Sequence, residues 1–273
     1  MIVAACDRKI SFFGGLTSAD GIAVKMTGIN RDWTVMFAGP LSPMVALTQS
    51  IAKRVEHERP MEFLPFARLC RDVYREERKP LIESDVLANY DVETYSEYLA
   101  LRKSDLEFHA KITEEIKKVE EEWNLLFAGF DKRGKAHIFT VTENGKINFC
   151  DKEGYAAIGS GSLRALISLS DYPFSRRLGL SEAVFGVAAA KFAAESADGV
   201  GKETMMSILQ ANAKTSPVFS DHGIETLRKM WRNLPRRPVE ATRSIWQEIT
   251  KFQQLGWLNN PKRPSRPRKS AGR

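Results

Sequence analysis

Two tight turns between Leu125 and Cys150 constrain this chain more than any other feature. In FDKRGKAHIF the apolar runs 125–130 and 136–141 flank a short polar connection holding Gly134, and TENGKI sets Asn144-Gly145 between runs 136–141 and 146–150. Asn and Gly both tolerate positive φ, the backbone that a hairpin turn demands. Strands joined in this way pair antiparallel. Residues 2–5, 33–38, 156–158 and 204–210 are further short apolar runs bounded by Gly, Asn or Asp, and they read as strands too.

Helical signals fill the gaps. Residues 43–57 follow a Gly-Pro-Leu-Ser break, with Ser42 placed to cap and Pro43 at the first helical position. Residues 163–171 and 181–197 read as two more helices; the second, with Ser181 as cap, is rich in the small residues that close packing uses. Residues 58–122 differ, being rich in Glu, Lys, Arg and Leu with turn signals at Pro60, Pro80 and Asn89-Tyr90-Asp91. There Leu99, Leu106, Ile112, Ile116 and Val119 recur near helical spacing. This stretch reads as two or three amphipathic helices inserted into the body, either a solvated excursion or a surface for a partner. The order strands, helices, strands, helices, strand predicts an α+β chain with two sheets between helix layers, an αββα sandwich.

Charge divides the chain unevenly. Residues 234–273 carry ten Lys/Arg against two Asp/Glu, a sum of +8, so the remainder of this +7 chain sums to −1. Residues 1–233 form the body, and 234–273 a basic extension with one helical pattern at 239–255. Its last ~13 residues are a Pro/Arg/Lys segment that cannot build a core of its own. The extension lacks interleaved aromatics and recognition-helix patterning, so a solvated tail is expected over a nucleic-acid contact. The longest apolar runs fall far short of a membrane span, and the first ten residues do not have the pattern of a signal peptide. Three scattered cysteines without CxxC spacing fit a reducing compartment and no zinc site, so a cytoplasmic location is expected. His57, His109, His137 and His222 lie apart and read as surface or partly buried side chains rather than ligands. GGLTSADG lacks the GK[ST] and following helix of a phosphate loop.

Several stretches, taken in order, are similar to those of a known family. IVAACDRKIS resembles the second strand of a proteasome β-type subunit, a member of the N-terminal nucleophile hydrolases. VKMTGI resembles that family's lysine strand, WTVMFAGPLSP the strand and glycine that open its first helix, and LLFAGFDKRGKAHIFTVTENGKI its central hairpin. YAAIGSGSLRAL resembles its Gly-Ser-Gly turn and helix, LSEAVFGVAAAKFAAESA the helix that follows, and FSDHGIETLRKMW the last segment. The resemblance covers the body apart from the helical insertion.

It implies a threonine peptidase chemistry, in which an N-terminal Thr hydroxyl attacks a peptide carbonyl with its own α-amine as base. Carried over, Asp7 matches the aspartate that holds the lysine, Lys25 the lysine whose charge tunes the amine, and Ser160 the serine beside that amine. Gly39 matches the glycine whose backbone donates to the oxyanion, and Ser11 the residue lining the substrate channel. No cofactor or metal is implied. The implied partners are a ring of identical or related subunits, an ATP-dependent unfoldase and unfolded polypeptide as substrate. The family's Thr precedes the strand with which this sequence opens, so the nucleophile is expected only from a longer native N-terminus. A subunit without catalysis, or a scaffold using the insertion as its docking surface, are the alternatives.

The residues themselves leave readings open. Asp7 and Lys25 equally suit a structural ion pair, and Ser160 a helix cap. Cys6 is either a small buried side chain or, were the first five residues removed, an N-terminal thiol. The turn ESADGVGKE aligns Ser196 and Gly199 where the family has an Asp and a Ser, with Asp198 displaced, and residues 7–25 run longer than in the family.

Overall fold

The meander read from the two turns is present. The structure, a computed structural model, describes residues 1–12, 17–21, 24–56, 61–121, 123–170, 178–213 and 216–233. Strands β6 (Asn124–Phe130), β7 (Ala136–Thr142) and β8 (Lys146–Phe149) pair antiparallel, with Leu125 opposite Val141 and Thr142 opposite Lys146. Gly134, Asn144 and Gly145 have φ of 74, 58 and 71°, the left-handed backbone expected of them. Strands β4 (Met26–Gly28) and β5 (Trp33–Ala38) extend the meander to a five-stranded sheet ordered β4-β5-β6-β7-β8. Apart from it, β1 (Ile2–Asp7) pairs antiparallel with β9 (Thr204–Leu209), and β2 (Ile10–Phe12) with β3 (Thr17–Ala19). The fold is mixed α+β with antiparallel sheets.

Successive residues of β6 divide between two cores. Leu125 and Phe127 join Val35, Phe37, Phe139 and Val141 in one, whereas Leu126 and Ala128 join Ile2, Ala4, Met36 and Leu209 in another. Both faces of the sheet are therefore covered, which is why LLFAGF is apolar throughout rather than alternating. Met206 and Ile208 of β9 belong to a third core with α6 (Leu180–Ala194) and α7 (Asp221–Arg232). Ala188, Ala189 and Ala190 are all buried, so α6 is packed around its circumference.

The helices depart from expectation in informative ways. α1 (Leu41–Glu56) begins two residues early because the Pro40 carbonyl accepts from the Met44 N–H, leaving Ser42 and Pro43 inside the first turn. α6 is capped not by Ser181 but at Gly179, whose N–H donates to the Glu182 carboxylate at 2.9 Å. α2 (Phe63–Asp85) runs straight through Pro80, where a turn was expected, with Arg78 and Ile82 buried on either side of it. Residues 156–158 form no strand; Ala156 and Ile158 are apolar because they pack against the core that contains Ile2 and Leu126. The helical pattern at 239–255 and the basic extension lie outside the described residues.

The stretch 58–122 is no solvated excursion. It holds α2, α3 (Tyr95–Ser104) and α4 (Leu106–Glu121), and its Phe66, Tyr74, Ile82, Tyr98, Ile112 and Ile116 sit in the same core as Val35 and Phe139. Only part of the expected apolar stripe is buried: Leu99 and Leu106 are 53% and 67% exposed. α2 also clamps the Asn-Gly turn, with Arg75 Nε donating to the Asn144 carbonyl and Arg78 Nη1 to Asn144 Oδ1, both at 3.0 Å.

Candidate functional site

Asp7 closes β1 opposite Thr204. Its Oδ1 accepts from Lys25 Nζ and from the Lys9 N–H, each at 2.9 Å. Lys25 lies immediately before β4, and its carbonyl accepts from the Phe37 N–H at 3.1 Å, so β5 holds the main chain that carries the ammonium. Both side chains are 18% exposed. Each keeps contact with solvent, while the partial burial strengthens their attraction beyond that of a surface pair.

Two glycines set Ser160 on the wall of the cleft that Asp7 and Lys25 also line. Gly159 has φ of 87°, and a Cβ on it would come within 3.0 Å of Ala38 Cβ at the end of β5. A Cβ on Gly161 would meet Val200 Cγ2 at 2.8 Å and Ala194 Cβ at 2.9 Å. Side chains at either position would push the loop out from between β5 and the end of α6. α5 (Ser162–Ser170) starts past this loop with the Gly161 carbonyl accepting from the Ala165 N–H at 3.0 Å, so Gly161, not Ser160, takes the capping position. Ser160 is exposed, and its Oγ stands 3.2 Å from where a Cβ on Gly199 would lie. Gly39, with φ of 126°, follows β5.

Asp7, Lys25, Gly39 and Ser160 all line one cleft of about 1540 Å³. Ser11 sits in β2 opposite Ser18, and its side chain lies outside the described residues. In the turn after α6, Ser196 Oγ donates to the Ala193 carbonyl at 2.7 Å and Asp198 is exposed, so Gly199 is the residue of that turn that meets Ser160. Burial, then the neighbouring Asp7 carboxylate, pushes the Cys6 thiol up to about 12. Thiolate is scarce at neutral pH under those conditions, and Cys6 is tied into β1 opposite Met205.

Two charged clusters carried no recognisable spacing as functional motifs. Lys191 Nζ, in the last turn of α6, donates to Glu195 Oε1 at 2.6 Å and to the Gly201 carbonyl at 2.9 Å. Arg228 of α7 grips both Glu195 oxygens, and its Nη2 donates to the Lys202 carbonyl at 2.7 Å. Burial holds the Lys191 ammonium below its ordinary value, against the opposing pull of Glu195 and Asp7. The one sequence signal was a lysine and a glutamate four residues apart in an otherwise apolar helix.

The second cluster corrects the reading of the histidines. His137 is 3% exposed, with Nδ1 2.6 Å from Asp151 Oδ2, Nε2 3.4 Å from Asp131 Oδ2, and its ring stacked on Phe63 at 3.8 Å. Burial pushes the Asp131 carboxyl up, but the Lys135 and Arg133 N–H groups and His137 outweigh it and hold the group below its ordinary value. A depressed carboxyl stabilises the fold above the unfolded value of about 4, and that stability is lost as pH falls through the folded value. Asp131→Asn is therefore expected to lower the urea midpoint clearly at pH 7, with a deficit that shrinks as pH falls below about 4. A deficit that does not change across the acid range would remove Asp131 from this role.

The cleft thus gathers an oriented ammonium, an exposed hydroxyl and a glycine at a strand end, groups suited to receiving negative charge that develops on a bound carbonyl. Among the described residues no cluster of three or more His, Cys, Asp or Glu is arranged to hold a metal ion, and no helix is long and apolar enough to cross a membrane. No family model matches the chain, and no curated protein matches it significantly.

Proposed function

We propose that this chain is a proteasome β-type subunit of the N-terminal nucleophile hydrolase fold, working in a ring on unfolded polypeptide. The observation that carries the reading is the 2.9 Å Asp7–Lys25 pair at a cleft that Gly39 and Ser160 also line. Four residues carried over by resemblance from separate stretches of the sequence line one cleft. Core packing supports the same fold: one cluster joins α1 and α2 to the five-stranded sheet, a second joins that sheet to β1–β9, and a third joins β1–β9 to α6 and α7. That succession supports an αββα order of layers. In this reading Lys25 lowers the proton affinity of an adjacent amine, Asp7 fixes Lys25, and the Gly39 backbone receives the oxyanion.

The described residues supply the charge-stabilising half of such a site. Cys6, with its thiol raised to about 12, does not supply the other half. A subunit that serves its ring as a scaffold is the second reading, and this observation favours it. The test uses protein purified from its own source, its N-terminal peptide read by mass spectrometry before and after an electrophile directed at N-terminal threonine. The peptidase reading expects a nucleophile ahead of Met1, a covalent adduct on it, and loss of at least nine-tenths of the adduct in Lys25→Met with the ring intact. An unmodified chain beginning at Met1 in an assembled ring assigns the scaffold. A monomer without adduct overturns both.

A further inference from the structure

The helix α5 carries an apolar stripe on each side. Ala165 and Leu169 line the cleft, and Leu169 is buried. Leu163 and Ile167, likewise one turn apart, lie on the opposite side and are 69% and 55% exposed. Single exposed aliphatics are ordinary on a protein surface, but two stacked on one helix face form a patch, without a cover among the described residues. The end of α7 lies on the same side of the helix layer as the start of that patch. Gly161, just ahead of α5, packs against Ala194, the last residue of α6. In the last turns of α7, Trp231 packs on Phe192 at 5.7 Å between ring centroids, and Arg228 grips Glu195. Both helices therefore meet α6 at its C-terminal end, and the chain leaves α7 there, at Asn233.

We propose that residues 239–255 of the same chain dock as a helix on the outer face of α5 and bury Leu163 and Ile167. The segment has the matching stripe: Ile245, Trp246, Ile249 and Phe252 recur at helical spacing. It is also neutral, Arg243 and Lys251 balancing Glu240 and Glu248, so the +8 of the extension lies wholly outside it. Covering an apolar side is favourable, and here no net charge opposes it. Reach permits the contact. Packed helices stand about 8–10 Å apart, which places α5 no more than about 20 Å from α7 across α6. The six residue steps from Asn233 to Val239 span roughly 20 Å when extended. Glu248 flanks the stripe and has the sign opposite to Arg164, which is exposed beside Leu163. The α5 of a second copy fits less well, since it brings two aliphatics and another Arg164 where the segment brings four large apolar side chains and an acid. An amphipathic helix laid on an apolar face is a recurring mode of recognition, with anchors at i, i+4 and i+7. Because α5 starts directly after the Ser160 loop, the docked segment would brace that loop. The proposal is independent of the peptidase reading.

The test is amide hydrogen exchange of the full chain, with a synthetic peptide of residues 234–273 as the unprotected reference. Amides of 243–255 should exchange at least tenfold more slowly in the chain than in the peptide, equally at protein concentrations a hundredfold apart. Leu163→Glu together with Ile167→Glu should return them to the peptide rate while β9 keeps its protection. Ile249→Glu should do the same from the other side of the contact, and all three changes together should do no more. A second arm inserts no charge into α5: Leu163→Cys should be alkylated at least tenfold faster once Ile249→Glu is added. Peptide-like exchange in the parent chain would overturn the proposal. So would protection that survives the α5 substitutions, which would place the segment elsewhere, or protection lost on dilution, which would assign the contact to a second copy. An alkylation rate that Ile249→Glu leaves unchanged would overturn it as well.

Discussion

Glu195→Ala is expected to destabilise the protein by about 3–5 kcal/mol, the usual cost of removing one partner from a buried ion pair. Glu195 is the shared acceptor of Lys191 and Arg228, whose side chains are only 7% and 9% exposed. Without it two cations face each other across the end of α6. Each keeps one carbonyl, Gly201 for Lys191 and Lys202 for Arg228, and Arg228 keeps its place over the Phe192 ring at 4.3 Å. Those contacts cancel no charge, and the carboxylate still within ion-pair range of Arg228 is that of half-exposed Glu225, at 3.7 Å. Glu195→Gln retains one acceptor oxygen and should cost less. Urea unfolding of the parent and both variants measures the difference, and a loss below about 1 kcal/mol for Glu195→Ala would show the network to be solvated. The effect should reach the cleft, because this clamp holds the turn whose Gly199 meets Ser160.

Phe66→Ala should cost a similar ~3–5 kcal/mol, the range for truncating a buried aromatic. Phe66 of α2 is fully buried, stacked on Trp33 at 4.2 Å, with its edge toward Phe127 and Phe139 at about 6 Å. Its removal leaves a hole between the insertion and three strands of the sheet. The matched control is Leu99→Ala on α3, where the side chain is half exposed and the change should stay within ~0.5 kcal/mol. Were 58–122 a separate excursion, both substitutions would be mild, and unfolding would proceed in two steps rather than one.

The candidate site was legible to different depths at different residues. Asp7, Lys25, Gly39 and Ser160 come from the resemblance of separate stretches to a known family, not from the chemistry of any one motif, and all four line one cleft. That Ser160 is no helix cap was invisible, since GSGSL suits either position; Gly161 takes the cap because its neighbours Ala194 and Val200 leave no room for a side chain there. His137 was misread because a lone histidine in a strand has no spacing that announces partners. Its two aspartates lie one in the preceding turn and one beyond β8.

What the sequence determined by itself is everything settled within a window of a few residues. The hairpins at Gly134 and Asn144-Gly145, the burial of both faces of 125–130 and the crowded packing of α6 all follow from local φ preference and periodicity. The tertiary structure alone decided which distant edges meet. β1 finds β9 across nearly the whole chain, Lys25 reaches Asp7, and α2 leaves solvent to cover a sheet that α1 cannot cover unaided. A periodic pattern says that a face must be buried, never against what. The partner is selected when long loops close around a shared core, at an entropic cost that depends only weakly on how far apart the segments stand in sequence.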